Sequence, residues 1–167
     1  MSKVAAVHMM KYIILTLTFS ALVILCVSTA ASNWVQSKAD SFITQGLWKF
    51  CTTNIKCERI DDLVKIDGWY KCIRTLCIFA VLLTLFGHVL TIFSIKNDFK
   101  ASYSSVPLLL AAFLQFTAVM IFTDMIHMEG IEFGWCYKLG WAGLTVATLA
   151  GSFGILTDKC CMPIIEE

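Results

Sequence analysis

The hydrophobic pattern of the chain is dominated by four long windows that hold no charged residue. They cover residues 12–31, 75–95, 103–123 and 139–157. A helix needs about 20 apolar residues to cross the hydrocarbon core of a bilayer, and each window has roughly that length. Because backbone groups in lipid must pair within their own segment, the windows predict four transmembrane helices. We expect an all-α transmembrane fold in which these helices form a left-handed antiparallel bundle.

The first window also fits a cleavable signal peptide. Lys3 and Lys11 resemble its basic start, and residues 28–32 supply the small side chains found at a cleavage site. The apolar run is longer than the roughly 7–15 residues usual in signal peptides, which favours a retained helix. Either alternative places the segment that follows on the far side of the membrane.

The charges beside the short connections predict the orientation of the bundle. Lysines concentrate at one end of it, at positions Lys3, Lys11, Lys96, Lys100 and Lys159. The connection 124–138 at the other end carries acidic residues and only one late lysine. The positive-inside rule therefore predicts cytoplasmic termini, extracellular loops at 32–71 and 124–138, and a cytoplasmic tail at 158–167. The mixed charges of 32–71 are discounted, because they are typical of a small folded unit. The whole chain, 1–167, is predicted to be a single four-span domain.

Composition narrows the class of function. The chain has 167 residues, of which 58% are hydrophobic and only 15% charged, and its formal net charge is +1. No basic field suited to nucleic acid is present. The 8 cysteines form no CxxC pairs with histidine partners, so we expect no zinc site. Phosphate-binding loops, HExxH and nucleophile elbows are also absent, and we predict a protein that is not an enzyme and holds no cofactor or metal.

The loop 32–71 changes to short alternating segments, which predict short strands at 45–50 and 57–60. Cys51 and Cys57 flank five residues, a spacing that suits facing positions in a hairpin. We predict a disulfide between them, formed in an oxidising compartment, because a loop too small for a core gains most from a crosslink.

A combination of residues in this loop resembles the claudin superfamily signature. Its members are Trp34, Gly46, Leu47, Trp48, Cys51, Cys57 and Arg74. The run 133–137 leading into 140–141 is similar to the entrance of the fourth span in peripheral myelin and epithelial membrane proteins. The resemblance implies a claudin-like fold with a small disulfide-linked extracellular sheet, in which Trp34 and the Gly-Leu-Trp motif seat that sheet on the bundle.

The chain departs from true claudins in four ways. The separation of Trp34 from Gly46 and the spacing of the two cysteines are shorter than usual, so the sheet is expected to be smaller. The length is closer to that of the myelin, epithelial and lens-fibre members. The final residues, 164–167, end in glutamates and lack the apolar carboxyl terminus that PDZ domains bind, so no PDZ ligand is predicted.

Ionisable and polar residues in the spans predict specific contacts. Arg74 and Asp124 lie at the outer edges of the second and third spans and are a candidate ion pair, although each could instead extend to the interface. His88 and Gln115 lie deeper, and we expect one interhelical hydrogen bond for each rather than a conduction path.

Small residues and cysteines in the last span suggest packing and modification. Gly143, Ala147 and Gly151 recur every four residues and predict close helix packing, within the bundle or against a second protomer, with the internal alternative favoured. Cys160 and Cys161 follow the span and are candidates for lipidation by palmitoylation. The remaining cysteines are predicted to be apolar packers, with a second bridge between Cys72 and Cys136 as the alternative.

Three functions remain consistent with the sequence. The resemblance favours a claudin-like protein of the plasma membrane that acts at cell–cell contacts, in junctions or in membrane organisation. The first alternative is an auxiliary, stargazin-like subunit of an ion channel, and the second is a paracellular barrier or pore component. The expected partners are membrane lipids, the same or a related protein in the same or the opposing membrane, or an ion-channel subunit. Nucleic acid is not expected as a partner.

Overall fold

The computed structural model describes residues 3–37, 43–52, 57–63, 68–97, 100–126 and 131–161. Four long helices dominate it. They are α1 (Lys3–Ala30), α3 (Gly68–Lys96), α4 (Ser102–Met125) and α5 (Trp135–Cys161). Each is long and apolar enough to cross a membrane. The predicted all-α four-span fold with a small disulfide-linked sheet is confirmed.

The long helices pack in the cyclic order α1, α3, α4, α5, so that each contacts two neighbours. The centre of the bundle is narrow because small side chains meet there, namely Ala21, Ala112 and Ala147. A larger core lies at one end, where Trp34, Leu47 and other side chains of the connections enter between the helices. We call this end the sheet end.

Five short strands form one antiparallel sheet at the sheet end. The strands are β1 (Val35–Ser37), β2 (Thr44–Gln45), β3 (Lys49–Cys51), β4 (Cys57–Arg59) and β5 (Ile131–Phe133), in the spatial order β4-β3-β2-β1-β5. A short helix, α2 (Ile60–Leu63), follows β4. The predicted strand 45–50 is therefore two strands, separated by Gly-Leu-Trp. The pairing of β1 with β5 joins the two connections into one sheet.

Helix α3 begins at Gly68, before the charge-free window that predicted it. Its first turns contain Tyr70 and Lys71, which extend the helix beyond the apolar segment. A charge-free window reports the thickness of hydrocarbon, whereas a helix continues as long as its hydrogen bonds and packing do. The segment 68–71, predicted as loop, is helical.

The start of α4 is held by a side chain from another helix. Ala101, at the N-cap position, provides no side-chain cap. Asp158 of α5 accepts hydrogen bonds from the backbone N–H groups of Ala101 (2.9 Å) and Ser102 (2.7 Å). A carboxylate at a helix N-terminus pairs with otherwise free N–H groups and with the positive end of the helix dipole. The far end of α5 is thus tied to the connection between α3 and α4.

The candidate functional site is the sheet and its seat on the bundle

Trp34 is the deepest anchor of the sheet. Its side chain is fully buried, and its Nε1–H donates to the Ser28 carbonyl at 2.7 Å. The ring lies edge-on to Phe122, with centroids 4.8 Å apart, and contacts Tyr137 in the same manner at 6.2 Å. Three long helices therefore enclose this indole, and its polar atom is satisfied by the last turns of α1.

The Gly-Leu-Trp motif forms the turn between β2 and β3 and rests on the end of α1. A Cβ on Gly46 would lie 2.7 Å from the Ala31 carbonyl oxygen and would contact the Ser32 backbone, so only glycine allows this approach. Leu47 is fully buried in the core. Trp48 donates from Nε1 to the Thr29 carbonyl at 2.8 Å.

Arg74 connects α3 to this turn. Its Nε donates to the Leu47 carbonyl at 2.6 Å, and its guanidinium lies 4.8 Å from the centroid of the Trp48 ring and 5.1 Å from that of Tyr70. Tyr70, one turn earlier on α3, donates its hydroxyl to the Gly46 carbonyl. Hydrogen bonds from α3 to two successive carbonyls, with stacking on the guanidinium, fix the orientation of the turn.

The ion pair of Arg74 differs from the predicted one. Its Nη1 lies 2.7 Å from Oδ1 of Asp61 in α2, while Asp124 is exposed. The predicted Arg74–Asp124 pair is therefore wrong. The guanidinium is directed along α3 toward the sheet by its bond to Leu47, and α2 places Asp61 on that side. No local pattern links positions 61 and 74, whereas the spacing of Tyr70 and Arg74 by four residues on one helix could have identified their contact.

Asp61→Asn is expected to lower the free energy of unfolding by about 1 kcal/mol, because it removes the charge that faces a guanidinium only 10% exposed. Asp124→Asn, which neutralises an exposed carboxylate at the same end, is expected to change it by less than about 0.5 kcal/mol. Thermal or denaturant unfolding of both purified variants in one detergent measures the difference. Equal losses, or a larger loss for the Asp124 variant, would contradict the assignment of Asp61 as the partner.

The disulfide between Cys51 and Cys57 is confirmed. The two residues face each other on β3 and β4, with Cα atoms 4.1 Å apart, and the bond closes the outermost hairpin of the sheet. Cys72 and Cys136 are free thiols, so the alternative of a second bridge between them is not found.

The strand register divides the sheet into two faces. Val35, Ile131 and Phe133 point to one side and pack on the core of the bundle, and we call this the inner face. The opposite, outer face carries exposed charges, among them Lys49, Arg59 and Glu132. Lys49 and Arg59 are direct cross-strand partners, and neither has an ion-pair partner within the described segments. Like charges in that position repel, so the outer face holds an unneutralised cationic pair.

The two polar residues predicted to bridge helices behave differently. His88 Nδ1 lies 2.8 Å from the Thr18 hydroxyl, which joins α3 to α1. Gln115 is fully buried, yet neither atom of its carboxamide makes a hydrogen bond to the protein. The prediction of an interhelical bond for Gln115 is wrong: a Cβ on Gly140 of α5 would lie 3.1 Å from its Nε2, and glycine supplies no side chain that could pair with it.

The small-residue stripe of α5 faces the protein's own helices. A Cβ on Gly143 would lie 2.6 Å from a methyl group of Leu25 in α1, and one on Gly151 would lie 2.9 Å from Leu109 in α4. Ala147 is fully buried between them. Cys160 and Cys161 form the end of α5, and their side chains lie outside the described part of the structure. The described residues contain no cluster of three metal-ligating side chains.

Comparison with known proteins identifies a family and a relative of this chain. A family model described as the PMP-22/EMP/MP20/Claudin family matches residues 6–154. The lens fiber membrane intrinsic protein of Homo sapiens is 27% identical over 144 residues, which cover 78% of this chain and 81% of that protein. The matched region contains the complete sheet and most of each long helix. The chain therefore belongs to the PMP-22/EMP/MP20/claudin family of multi-pass membrane proteins.

Proposed function

We propose that this protein is a non-enzymatic component of cell–cell contacts in the plasma membrane. It acts there through the outer face of its sheet and through lateral packing of its helices, and its partner is the same or a related protein in the same or the opposing membrane. The family is one of structural membrane proteins. Beyond that, we propose where this protein acts, at cell–cell contacts, and through which surface, the outer face of the sheet.

The chemistry of the two ends of the bundle supports the proposed orientation of the protein in the membrane. A disulfide persists in an oxidising environment, which supports an extracellular sheet. The opposite end carries Lys96, Lys100 and Lys159, which supports cytoplasmic termini. The basic residues Lys49 and Arg59 do not oppose this orientation, because they belong to strands of a folded sheet rather than to a short connection.

The observation that carries the proposal is a charged outer face on a sheet whose other face is pinned to the membrane bundle. Hydrogen bonds from Trp34, Trp48 and Arg74 hold the sheet against α1 and α3, so its outer face is presented in a fixed orientation. A preorganised surface loses little entropy on binding. The cationic pair Lys49 and Arg59, which has no ion-pair partner among the described residues, favours recognition of an acidic group such as Glu132 on the outer face of a second copy.

The test is the distribution of tagged protein in junction-free cells mixed with cells that lack it. Enrichment is expected at contacts between two expressing cells and not at contacts with null cells. The double variant Lys49→Gln with Arg59→Gln is expected to lose that enrichment, while the matched control, Lys96→Gln with Lys159→Gln at the opposite end, keeps it. Uniform distribution of the parent protein would contradict the proposal and favour the alternative of an auxiliary channel subunit.

The same variants distinguish the paracellular alternative. Asp61 is a poor probe of ion selectivity, because it pairs with Arg74 and its neutralisation alters the seat of the sheet. Lys49 and Arg59 are exposed, and neither forms an ion pair within the described segments. A change in ion selectivity across an epithelial layer on their neutralisation would favour a barrier or pore role over adhesion.

A further inference from the structure

A recess lies between α3 and α4 at the end of the bundle opposite the sheet. Its volume is about 430 Å³, and its walls are formed by Leu90, Phe93, Lys100 and Tyr103. Phe93 and Tyr103 are 51% and 63% exposed, so the recess is open at the surface rather than enclosed. The volume falls within the range of sites that bind small molecules, roughly 300–1,000 Å³.

The recess occurs where the two helices separate. One turn earlier on α3 they are in close contact, because a Cβ on Gly87 would lie 2.8 Å from Leu108 of α4. Leu90 and Phe93 follow in the next turns of α3, and Tyr103 comes from the first turn of α4. These apolar walls belong to membrane-spanning helices and face outward, so the medium in contact with them is lipid rather than water.

The cationic side chain of Lys100 lies at the polar edge of these apolar walls. Lys100 is exposed, and within the described ranges it makes no ion pair. The carboxylate of Asp158, which is close by, accepts backbone hydrogen bonds from Ala101 and Ser102 with its two oxygens. Tyr103 adds an amphipathic ring, a side chain suited to the boundary between acyl chains and headgroups.

We propose that this recess binds an anionic phospholipid, with an acyl chain against Leu90 and Phe93 and the phosphate at Lys100. Apolar walls with the cation Lys100 at their rim complement a lipid that is apolar along its chain and negative at its head. A lysine near an anionic headgroup contributes about 1 kcal/mol of binding free energy, which corresponds to about a fivefold increase in affinity. The site is independent of the contact role proposed for the sheet.

Native mass spectrometry of the purified protein, with equimolar phosphatidylserine and phosphatidylcholine of identical chains, tests the proposal. Retention of phosphatidylserine is expected to exceed that of phosphatidylcholine. Lys100→Gln is expected to reduce this preference about fivefold. Lys96→Gln removes an exposed lysine at the same end that does not line the recess, and it is expected to leave the preference unchanged within about twofold.

A second variant tests the apolar half of the site. Leu90→Trp places a larger ring in the recess and is expected to reduce the retention of both lipids, with an unchanged elution volume and helical circular dichroism as evidence of folding. Three results would each overturn the proposal. They are equal retention of the two lipids by the parent protein, equal losses for Lys96→Gln and Lys100→Gln, and undiminished lipid retention by folded Leu90→Trp.

Discussion

Trp34→Ala is expected to lower the free energy of unfolding by about 3–5 kcal/mol, which approaches the whole stability of many domains. The substitution empties the largest fully buried side-chain site in the described core and removes the donor that satisfies the Ser28 carbonyl. The rings of Phe122 and Tyr137 lose their shared neighbour. Unfolding of the purified protein in detergent measures the loss, and reduced arrival at the cell surface is its expected cellular consequence.

Two matched variants separate the contributions at this position. Trp34→Phe retains most of the ring contact and is expected to lose about 1 kcal/mol, through the missing N–H donor. Trp135→Ala, at a tryptophan that is 48% exposed at the start of α5, is expected to have a much smaller effect than Trp34→Ala. If the two alanine variants were equally destabilised, the assignment of Trp34 as the anchor of the sheet would be rejected.

Gly46→Ala is expected to be destabilising by about 3 kcal/mol, the upper end for overpacking in a core, because its methyl group would meet backbone rather than a flexible side chain. The nearest atoms belong to Ala31 and Ser32, which connect α1 to β1 and cannot move without shifting Trp34. The measurement is the midpoint of thermal unfolding.

Gly68→Ala is the matched control for Gly46→Ala. A Cβ at Gly68, the first residue of α3, meets no atom of the described residues within 4 Å, so this variant is expected to be neutral or slightly stabilising. A Gly46→Ala protein as stable as Gly68→Ala would show that the turn does not press on α1 as described.

The four helices were predictable because their signal is local and strong. A membrane imposes a length and excludes charge, and windows such as 103–123 meet both conditions within one continuous segment. The Cys51–Cys57 disulfide was predictable for the same reason, since the two cysteines lie within seven residues of sequence. The interval between Trp34 and Arg74 was also informative, but only through its resemblance to a known signature.

Contacts between distant segments were not predictable from pattern alone. Strand β5 has three residues, too few for an alternation to be recognised, and its partner lies in the other connection. Asp158 was assigned to the tail rather than to the cap of α4, because nothing in its neighbours indicates that its target is a backbone at Ala101. Asp61 and Asp124 offered the same charge to Arg74, and only the direction of the guanidinium distinguishes them.

Gln115 shows that a hydrogen-bond partner within the bundle is not predictable from the sequence alone. A polar residue in a span is expected to find a partner, since an unpaired group in hydrocarbon is costly. Its carboxamide instead lies beside Gly140, and neither of its polar atoms has a hydrogen-bond partner. Whether a partner exists depends on which helix faces the residue and at what height, and these quantities are properties of the assembled bundle.

The pairing of β1 with β5 has a consequence for the order in which the molecule is made. A ribosome completes β1 to β4, including both cysteines of the disulfide, long before it adds Phe133, the residue that pairs with Val35. Until then β1 has an open edge, with backbone groups available to other chains. The sheet becomes complete only when β5, which directly precedes α5, pairs with β1. An unfinished or misinserted chain thereby differs from a finished one at the free edge of a single strand.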